Sequence, residues 1–218
     1  MADIFHEVDE EVRREQLKRL WERYSIVIIA VAVLIVAAIA GWRGYEWWTG
    51  KKAAEAGARF EAAVALADQG KHADAEAAFA KVAADAPGGY AVLARLRAAA
   101  ELAQAGKNED AVKAYDAIAA DGSVGALWQD LAAVRAGLLL VDTAPLAEMQ
   151  RRLGPLAEPG RIYRHTSRDL LALSAWRNQD AAAAQKYIDM ITGDAETPQG
   201  TRARADVLAA LIAAGGKS

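Results

Sequence analysis

The chain has 218 residues, a net charge of −3 and no cysteine. A net charge near zero excludes the broad electrostatic attraction of a general nucleic-acid binder, and the lack of cysteine excludes disulfides, thiolate metal sites, a cysteine nucleophile and a thioether lipid anchor. About a quarter of the residues are alanine, the best helix former, so the composition predicts an all-α protein of one domain, or of one domain with an appendage.

Residues 1–24 form a charged leader. Glu10 and Arg14 lie four residues apart, as do Glu15 and Arg19, and this spacing supports a helix. An apolar stripe along the same helix consists of Val8, Val12, Leu20, Trp21 and Tyr24. The leader is interpreted either as a short interfacial helix that lies on the membrane or as a segment that docks on the cytoplasmic face of a partner.

Residues 25–42 carry no charge, and Ile26–Gly41 reads IVIIAVAVLIVAAIAG. As a helix, these residues span roughly 27 Å, about the hydrocarbon thickness of a bilayer. Aromatic residues bracket the run on both sides, as at membrane interfaces: Trp21 and Tyr24 before it, and Trp42, Tyr45, Trp47 and Trp48 after it. We therefore predict one transmembrane signal-anchor helix over residues 25–42. The alternatives are a buried core helix and a signal peptide cleaved after Ala38-Ile39-Ala40, although a leader of mixed charge is unusual for a signal peptide.

The basic residues near the span predict its orientation. Five precede it closely and four follow it, a bias towards a cytoplasmic N-terminus. They are Arg13, Arg14, Lys18, Arg19 and Arg23 before the span, and Arg43, Lys51, Lys52 and Arg59 after it. Residues 43–218 are then predicted to be the periplasmic domain of a bacterial inner-membrane protein.

The part after the span contains an internal repeat with an offset of 36 residues. The segment Gly70–Phe79 aligns with Gly106–Tyr115 and with residues 178–187, whereas residues 142–151 keep only a turn and an alanine. Gly70 and Gly106 are predicted to end a first helix in the left-handed conformation that glycine accepts. Small residues then let a second helix approach, and aromatic residues fill the gap one turn later. The predicted packing residues are Ala75, Ala111, Ala147 and Ala183, with Phe79, Tyr115 and Tyr187.

This glycine-turn-alanine-aromatic pattern resembles the tetratricopeptide repeat, a helix-turn-helix of about 34 residues. The resemblance implies an all-α fold: a divergent tetratricopeptide-repeat-like α-solenoid of four units, the third of them degenerate. Thr201–Ala214 is predicted to be a terminal capping helix.

The order of charged leader, signal-anchor helix and divergent repeat domain resembles the ancillary subunits of the bacterial Sec translocon, a membrane-anchored tetratricopeptide-repeat-like family. The resemblance covers nearly the whole chain, including the exit from the membrane at residues 41–45. It implies protein partners, namely translocon subunits and a periplasmic folding factor of the prolyl-isomerase type. The alternative is a repeat scaffold for another envelope complex, in cytochrome maturation or cell-wall assembly.

Residues that carry chemistry lie in no pattern typical of an active site. His6, His72 and His165 lack metal-ligand spacing, and the C-terminal Gly216-Lys217-Ser218 lacks the first glycine and the following helix of a phosphate loop. We predict no catalytic residue, no metal site, no cofactor and no small-molecule substrate. A hydrolase is the alternative from another class.

The inner face of such a solenoid is lined by the first helix of each unit. By the 36-residue phase, these helices are Ala56–Gln69, Val92–Ala105, Trp128–Val141 and Arg164–Arg177. Large aromatic residues and arginine are favoured at binding hot spots, so the candidate groove residues are Trp128, His165, Arg168 and Trp176. The alternative for the two tryptophans is packing between helices. A basic patch is also predicted at Arg151, Arg152, Arg161, Arg164 and Arg168, either for an acidic partner or lipid headgroups, rather than nucleic acid, or as a solvated face.

Overall fold

The computed structural model describes the backbone of residues 3–215, and the side chains of Lys18 and of residues 21–215. The side chains of His6, Val8, Val12 and Leu20 and the terminal residues 216–218, which carry sequence predictions, lie outside the described residues.

The described residues 3–215 form an all-helical fold, as the composition predicts, and contain no strand. The helices are α1 (Asp3–Asp68), α2 (His72–Asp85), α3 (Gly89–Gln104), α4 (Asn108–Ala119), α5 (Ala126–Leu140), α6 (Leu146–Leu153), α7 (Arg164–Arg177), α8 (Ala181–Thr192) and α9 (Gln199–Gly215), with a 3₁₀ turn at Gly154–Leu156. The chain divides into two compact parts, an N-terminal segment of residues 1–52 and a helical domain of residues 53–218.

In the N-terminal segment, the apolar run lies in helix α1. The helix is long and apolar enough to cross a membrane from Trp21 onwards, with a mean hydropathy of 2.8 over its most apolar window, none of which is buried within the protein. Large side chains from Ile26 to Ile39 are exposed. Since no other part of the described chain covers this surface, its burial requires an apolar environment outside the protein.

The helical domain consists of helix pairs that pack in sequence. The end of α1 packs on α2 in the first repeat. The pairs α3 with α4, α5 with α6, and α7 with α8 follow, and α9 packs against α7 and α8. Three clusters of buried side chains hold the pairs together. In the first cluster, the ring of Phe60 meets that of Phe79 edge-on, with 5.1 Å between centroids, a favourable geometry for two aromatic rings.

The same two positions of each second helix face its partner. The fourth and eighth residues are Ala75 and Phe79 in α2, Ala111 and Tyr115 in α4, Met149 and Leu153 in α6, and Ala184 and Ile188 in α8, and all eight are buried. Residues four apart lie on one face of a helix, one turn after the other. The fourth and eighth residues therefore pack two successive turns of the second helix into the interior of the repeat.

This register corrects two of the sequence-based packing residues. Ala147 is exposed and Ala183 is only partly buried, whereas Met149 and Ala184 occupy the fourth positions. The constant offset of 36 residues fails here because Met149 lies 38 residues after Ala111, and Ala184 lies 35 after Met149. Tyr187, which the offset aligns with Tyr115, is buried but stands one position before the equivalent Ile188.

The third repeat is irregular in its turn as well as in its second helix. Five residues, 141–145, separate α5 from α6, against three in the other repeats, and Pro145 precedes α6. Helix α6 is only 8 residues long. Gly137 of α5 faces Leu153, and a Cβ at this glycine would lie 2.9 Å from the Leu153 Cδ1 atom. The two helices of the third repeat therefore approach closely through a glycine on the first helix instead of an alanine on the second.

Three of the turns share one hydrogen-bonded structure. Gly70, Gly106 and Gln179 have φ values of 75°, 76° and 62°, as the sequence predicts for the two glycines. The amide of each donates to the carbonyl three residues earlier, and the next amide donates to the carbonyl five residues before it, at 2.9–3.0 Å. This pair of bonds is the Schellman motif, which satisfies the last carbonyls of a helix. Gln179 is therefore a residue with a Cβ in a conformation that favours glycine.

The turn geometry predicts opposite effects for two substitutions. Gly106→Ala should lower the free energy of unfolding by about 1 kcal/mol, and Gln179→Gly should raise it by up to about 1 kcal/mol, because a Cβ is disfavoured at positive φ. No other atom lies within 4 Å of a Cβ built at Gly106, so a clash adds nothing. The measurement is urea unfolding of the full chain in detergent micelles, followed by circular dichroism.

The matched control is Gly89→Ala, because Gly89 is the first residue of α3, is not among the glycines of positive φ, and has open space around an added Cβ. This variant should not be destabilised. Equal losses of stability in Gly106→Ala and Gly89→Ala would contradict the assigned turn conformation.

Candidate functional site

The first helices of the repeats, together with the following helix α9, expose a row of large apolar side chains. Leu138, Trp176 and Leu211 are each the thirteenth residue of their helices α5, α7 and α9, and are about half exposed. Successive first helices are in contact, so equivalent positions are neighbours across the domain. We call this surface the first-helix face and define it by its exposed apolar residues, which are Leu93, Leu138, Leu173, Trp176, Val207 and Leu211.

A cavity of about 230 Å³ opens on the first-helix face between α3 and α5. Its floor includes Leu96 and Tyr115, both buried, and its walls include the side chain of Trp128. Trp128 also packs against the buried cluster of the second repeat. The structure therefore places this tryptophan at the edge of the core, with one part of its surface in the cavity.

Trp176 has a different environment. Its side chain is 45% exposed on α7 and belongs to none of the three buried clusters. Leu173 lies one turn earlier on the same helix and is exposed too. Packing between helices is the alternative role for the two tryptophans. Such packing leaves much of the Trp176 side chain exposed.

Arg168 lies inside the fourth repeat, with 3% of its surface exposed. Its Nε donates to the Ala157 carbonyl at 2.8 Å, and its Nη1 donates to the Met190 carbonyl at 3.0 Å and to Asp194 Oδ2 at 2.8 Å. A guanidinium this buried and this fully bonded stabilises the packing of α7 against α8 and is not presented to a partner. The structure therefore gives Arg168 a packing role, and its place in a partner-binding groove stays a prediction.

His165 is also drawn into the interior near the loop after α8. Its Nδ1 lies 3.1 Å from Thr197 Oγ1, and the hydroxyl of Thr197 donates to the Ile191 carbonyl. Burial lowers the pKa of His165, and the nearby Arg164 lowers it further, because both disfavour the charged imidazolium. The structure thus separates His165 and Arg168 from the exposed Trp176 and the cavity of Trp128.

Most arginines of the predicted basic patch are paired with acids of neighbouring helices or loops. Arg152 bonds Asp116, Arg161 bonds Asp130 at 2.7–2.8 Å, and Arg164 bonds Asp194 at 2.8 Å. Arg151 alone of the predicted set is mostly exposed, at 74%, with its nearest carboxylate 3.9 Å away on Glu148. Arg152 joins the third repeat to the second, whereas Arg161 and Arg164 pair with acids of the third and fourth repeats, and the described arginines of this set form no uncompensated patch.

Asp194 is the centre of this pairing in the fourth repeat. Its carboxylate accepts from Arg164 and Arg168, and the backbone amide of Glu196 donates to it at 3.0 Å. The pKa of Asp194 lies far below its usual range, mainly because Arg164 donates a hydrogen bond to the carboxylate. Burial opposes this effect but is weaker than the Arg164 bond, and the bonds from Arg168 and the Glu196 amide lower the pKa further.

Two arginines of the cavity on the first-helix face are not among the residues predicted from the sequence. Arg97 and Arg135 line it together with Leu93 and Leu131. Arginine is common on solvated helix faces, so neither residue stands out in the sequence. The sequence could have indicated them only through their position in the repeat, since Arg97 and Arg135 both lie near the middle of a first helix.

The described residues also give no sign of metal chemistry: none of their His, Asp and Glu side chains form a group of three or more placed to hold an ion. Together, the helix pairs, their shared turn and the exposed first-helix face define an α-helical repeat scaffold, a class that generally binds other proteins.

The comparison with protein families agrees with this class. The profile of the tetratricopeptide repeat-like domain matches residues 18–160, about two thirds of the chain, and the protein belongs to this family. The match begins before the apolar run and ends before α7. Neither the curated proteins nor the solved structures include a significant match to the chain.

The ion pairs of Asp194 predict a pH-dependent effect of substitution. The folded-state pKa lies below the unfolded value of about 4, so the stabilisation is present above that pH and is lost as the pH falls through the folded pKa. Asp194→Asn should therefore lower the melting temperature of the full chain at neutral pH, and the difference from the wild type should shrink below about pH 4.

Thermal unfolding in detergent micelles, followed by circular dichroism across this pH range, measures the effect. Asp206→Asn is the control, because Asp206 is exposed on α9 and has no partner among the described side chains. A constant difference between wild type and Asp194→Asn at all pH values would contradict the role assigned to the carboxylate.

Proposed function

We propose that this protein is a membrane-anchored adaptor that holds protein partners on its first-helix face. The observation that carries the proposal is the row of exposed leucine and tryptophan side chains on successive first helices, which no described part of the chain covers. Apolar side chains and tryptophan contribute strongly to binding when a partner covers them. The family supports a scaffold role in place of catalysis.

The anchor in this proposal is the apolar run of α1, with the leader in the cytoplasm and residues 43–218 in the periplasm of a bacterial inner membrane. The exposed apolar surface of the run supports membrane insertion. The family match supports retention of the run over its cleavage, since the family profile starts at residue 18 and includes the run. Five basic residues before the span against four after it support the orientation.

The aromatic residues after the apolar run agree with this proposed placement. The Lys52 Nζ atom lies over the Trp48 ring, 3.8 Å from its centroid. The Lys51 Nζ atom lies over the Trp47 ring, 5.7 Å from its centroid. Tryptophan and lysine side chains side by side suit the boundary between hydrocarbon and water, where the ring stays in the headgroup layer and the ammonium reaches the aqueous side.

The partners we propose are subunits of the Sec translocon and a periplasmic folding factor, so that the protein assists newly translocated chains. The support is the resemblance in the order of leader, anchor and repeat domain. A scaffold for cytochrome maturation or cell-wall assembly has the same architecture, so partner identity distinguishes the two functions.

Site-specific crosslinking tests the partner. A photoreactive amino acid placed at Trp176 of the full chain, in its own membrane, should yield crosslinks to translocon subunits that mass spectrometry identifies. The matched control is the same amino acid at Arg151, which is exposed on the second helix α6, away from the first-helix face. Crosslinks at Trp176 only to cytochrome-maturation or cell-wall proteins would favour the alternative. Equal crosslinking from both positions would contradict the first-helix face as the binding surface.

Reporter fusions test the topology independently of the partner. Alkaline phosphatase fused after Ser218 should be active in bacterial cells, because the enzyme matures only outside the cytoplasm. A cytoplasmic reporter, β-galactosidase, at the same position should be inactive. The reverse pattern would contradict the proposed orientation.

A further inference from the structure

Arg135 differs from the other arginines of the helical domain. Each of the others, within the part of the chain that the structure describes, makes a hydrogen bond to a carboxylate or carbonyl, or lies within 4 Å of a carboxylate. Arg135 makes neither kind of contact with a described residue, although it is placed on the first-helix face beside a cavity. Its guanidinium therefore keeps all its donors for a group from outside the chain.

The second arginine of the cavity is held in place but incompletely paired. Arg97 Nη2 lies 3.9 Å from Glu101 Oε1, while Oε2 of the same carboxylate lies 2.8 Å from His72 Nδ1. The Arg97 guanidinium lies over the Phe79 ring, 5.5 Å from its centroid, and its buried Nε has no hydrogen-bond partner. Stacking fixes the side chain, and its long contact with a shared carboxylate leaves donors available.

Both arginines act on the same point at the floor of the cavity, the hydroxyl of Tyr115. Burial raises the pKa of this hydroxyl, the charges of Arg135 and Arg97 oppose that rise, and the Glu101 carboxylate adds a smaller rise. No hydrogen bond joins the hydroxyl to a described residue, and Tyr115 lines the same cavity as the two arginines. Two cations and one hydroxyl thus converge on one small volume, which attracts an anion and repels lysine or arginine.

Apolar space continues on both sides of Arg135. The cavity of about 230 Å³ lies on one side, and a second one of about 120 Å³, lined by Leu138 and Leu139, lies on the other; both share Ala100, Tyr115 and Arg135. Each is smaller than the usual site for a whole small molecule, about 300 Å³ or more, and suits a side chain. Since the apolar surface continues past Arg135, an internal segment of a partner chain fits this surface better than a chain terminus.

We propose that this double cavity binds an acidic side chain, Asp or Glu, flanked by apolar side chains, within an internal segment of a protein partner. The carboxylate lies between Arg135 and Arg97, and an apolar neighbour enters each cavity. This inference rests on the proposed function, because it names the chemistry that the first-helix face selects.

The test begins with a phage library of random dodecapeptides selected on the full chain in detergent micelles. Peptides enriched by the wild type should share an acidic residue between apolar ones. A fluorescein-labelled synthetic copy of one such peptide and its Glu-to-Gln partner are then compared by fluorescence polarisation. The wild type should bind the acidic peptide about tenfold more tightly or better, because a charge-assisted pair is lost in the amide version.

The decisive variant is Arg135→Gln, which should bind both peptides with similar, weak affinity, since a double-mutant cycle isolates the pair. Arg151→Gln is the control and should keep the wild-type preference. Rising salt should weaken only the acidic peptide on the wild type. Circular dichroism of each variant checks that the helical fold is retained.

The outcomes separate this inference from the function on which it rests. Enriched peptides without acidic residues, or an Arg135→Gln variant that still prefers the acidic peptide, overturn the inference and leave the first-helix face as a binding surface. A preference that depends on a free C-terminal carboxylate also overturns it. No enrichment of any peptide overturns both proposals.

Discussion

The contact between the two helices of each repeat is the constraint on which the rest of the domain depends. The fourth and eighth residues of the second helix are buried against the first helix in all four repeats, whether they are Ala75 and Phe79 or Met149 and Leu153. Burial of one face of each second helix orients the pair, and the next pair stacks on it. The opposite face of the first helices then has no partner within the described chain, which explains why large apolar side chains such as Trp176 remain exposed there.

Charge pairing between neighbouring helices and loops complements this apolar packing. Arg95, Arg152 and Arg161 reach aspartates 26, 36 and 31 residues away. Exposed ion pairs add little stability, but partly buried and bidentate ones fix orientation. Among the described arginines of the helical domain, Arg135 alone has no carboxylate or carbonyl within reach, and its position beside apolar cavities gives the first-helix face a chemical preference as well as an apolar character.

The N-terminal segment differs from the helical domain in where its apolar side chains lie. None of the residues in the most apolar window of the run is buried inside the protein, whereas the helical domain buries most of its large apolar side chains at the helix contacts. The same physical effect, the removal of apolar surface from water, therefore acts through lipid in the proposed anchor and through helix packing in the domain. Anchoring at a membrane would hold the first-helix face near membrane-bound partners and raise their effective concentration.

Features that depend on local properties can be predicted from the amino-acid sequence. Alanine content predicts the helices, one uncharged run predicts the helix long enough to span a bilayer, and Gly70 and Gly106 predict the left-handed turns, since each follows from the preferences of residues near in sequence. The register of the last two repeats is visible only in the folded chain, because turn lengths shift Met149 and Ala184 away from a constant period. The tertiary structure also decides which arginines are paired: Arg168 is buried by bonds to residues distant in sequence, and Arg135 is left open. Pairing depends on which helices become neighbours, and that information is not local.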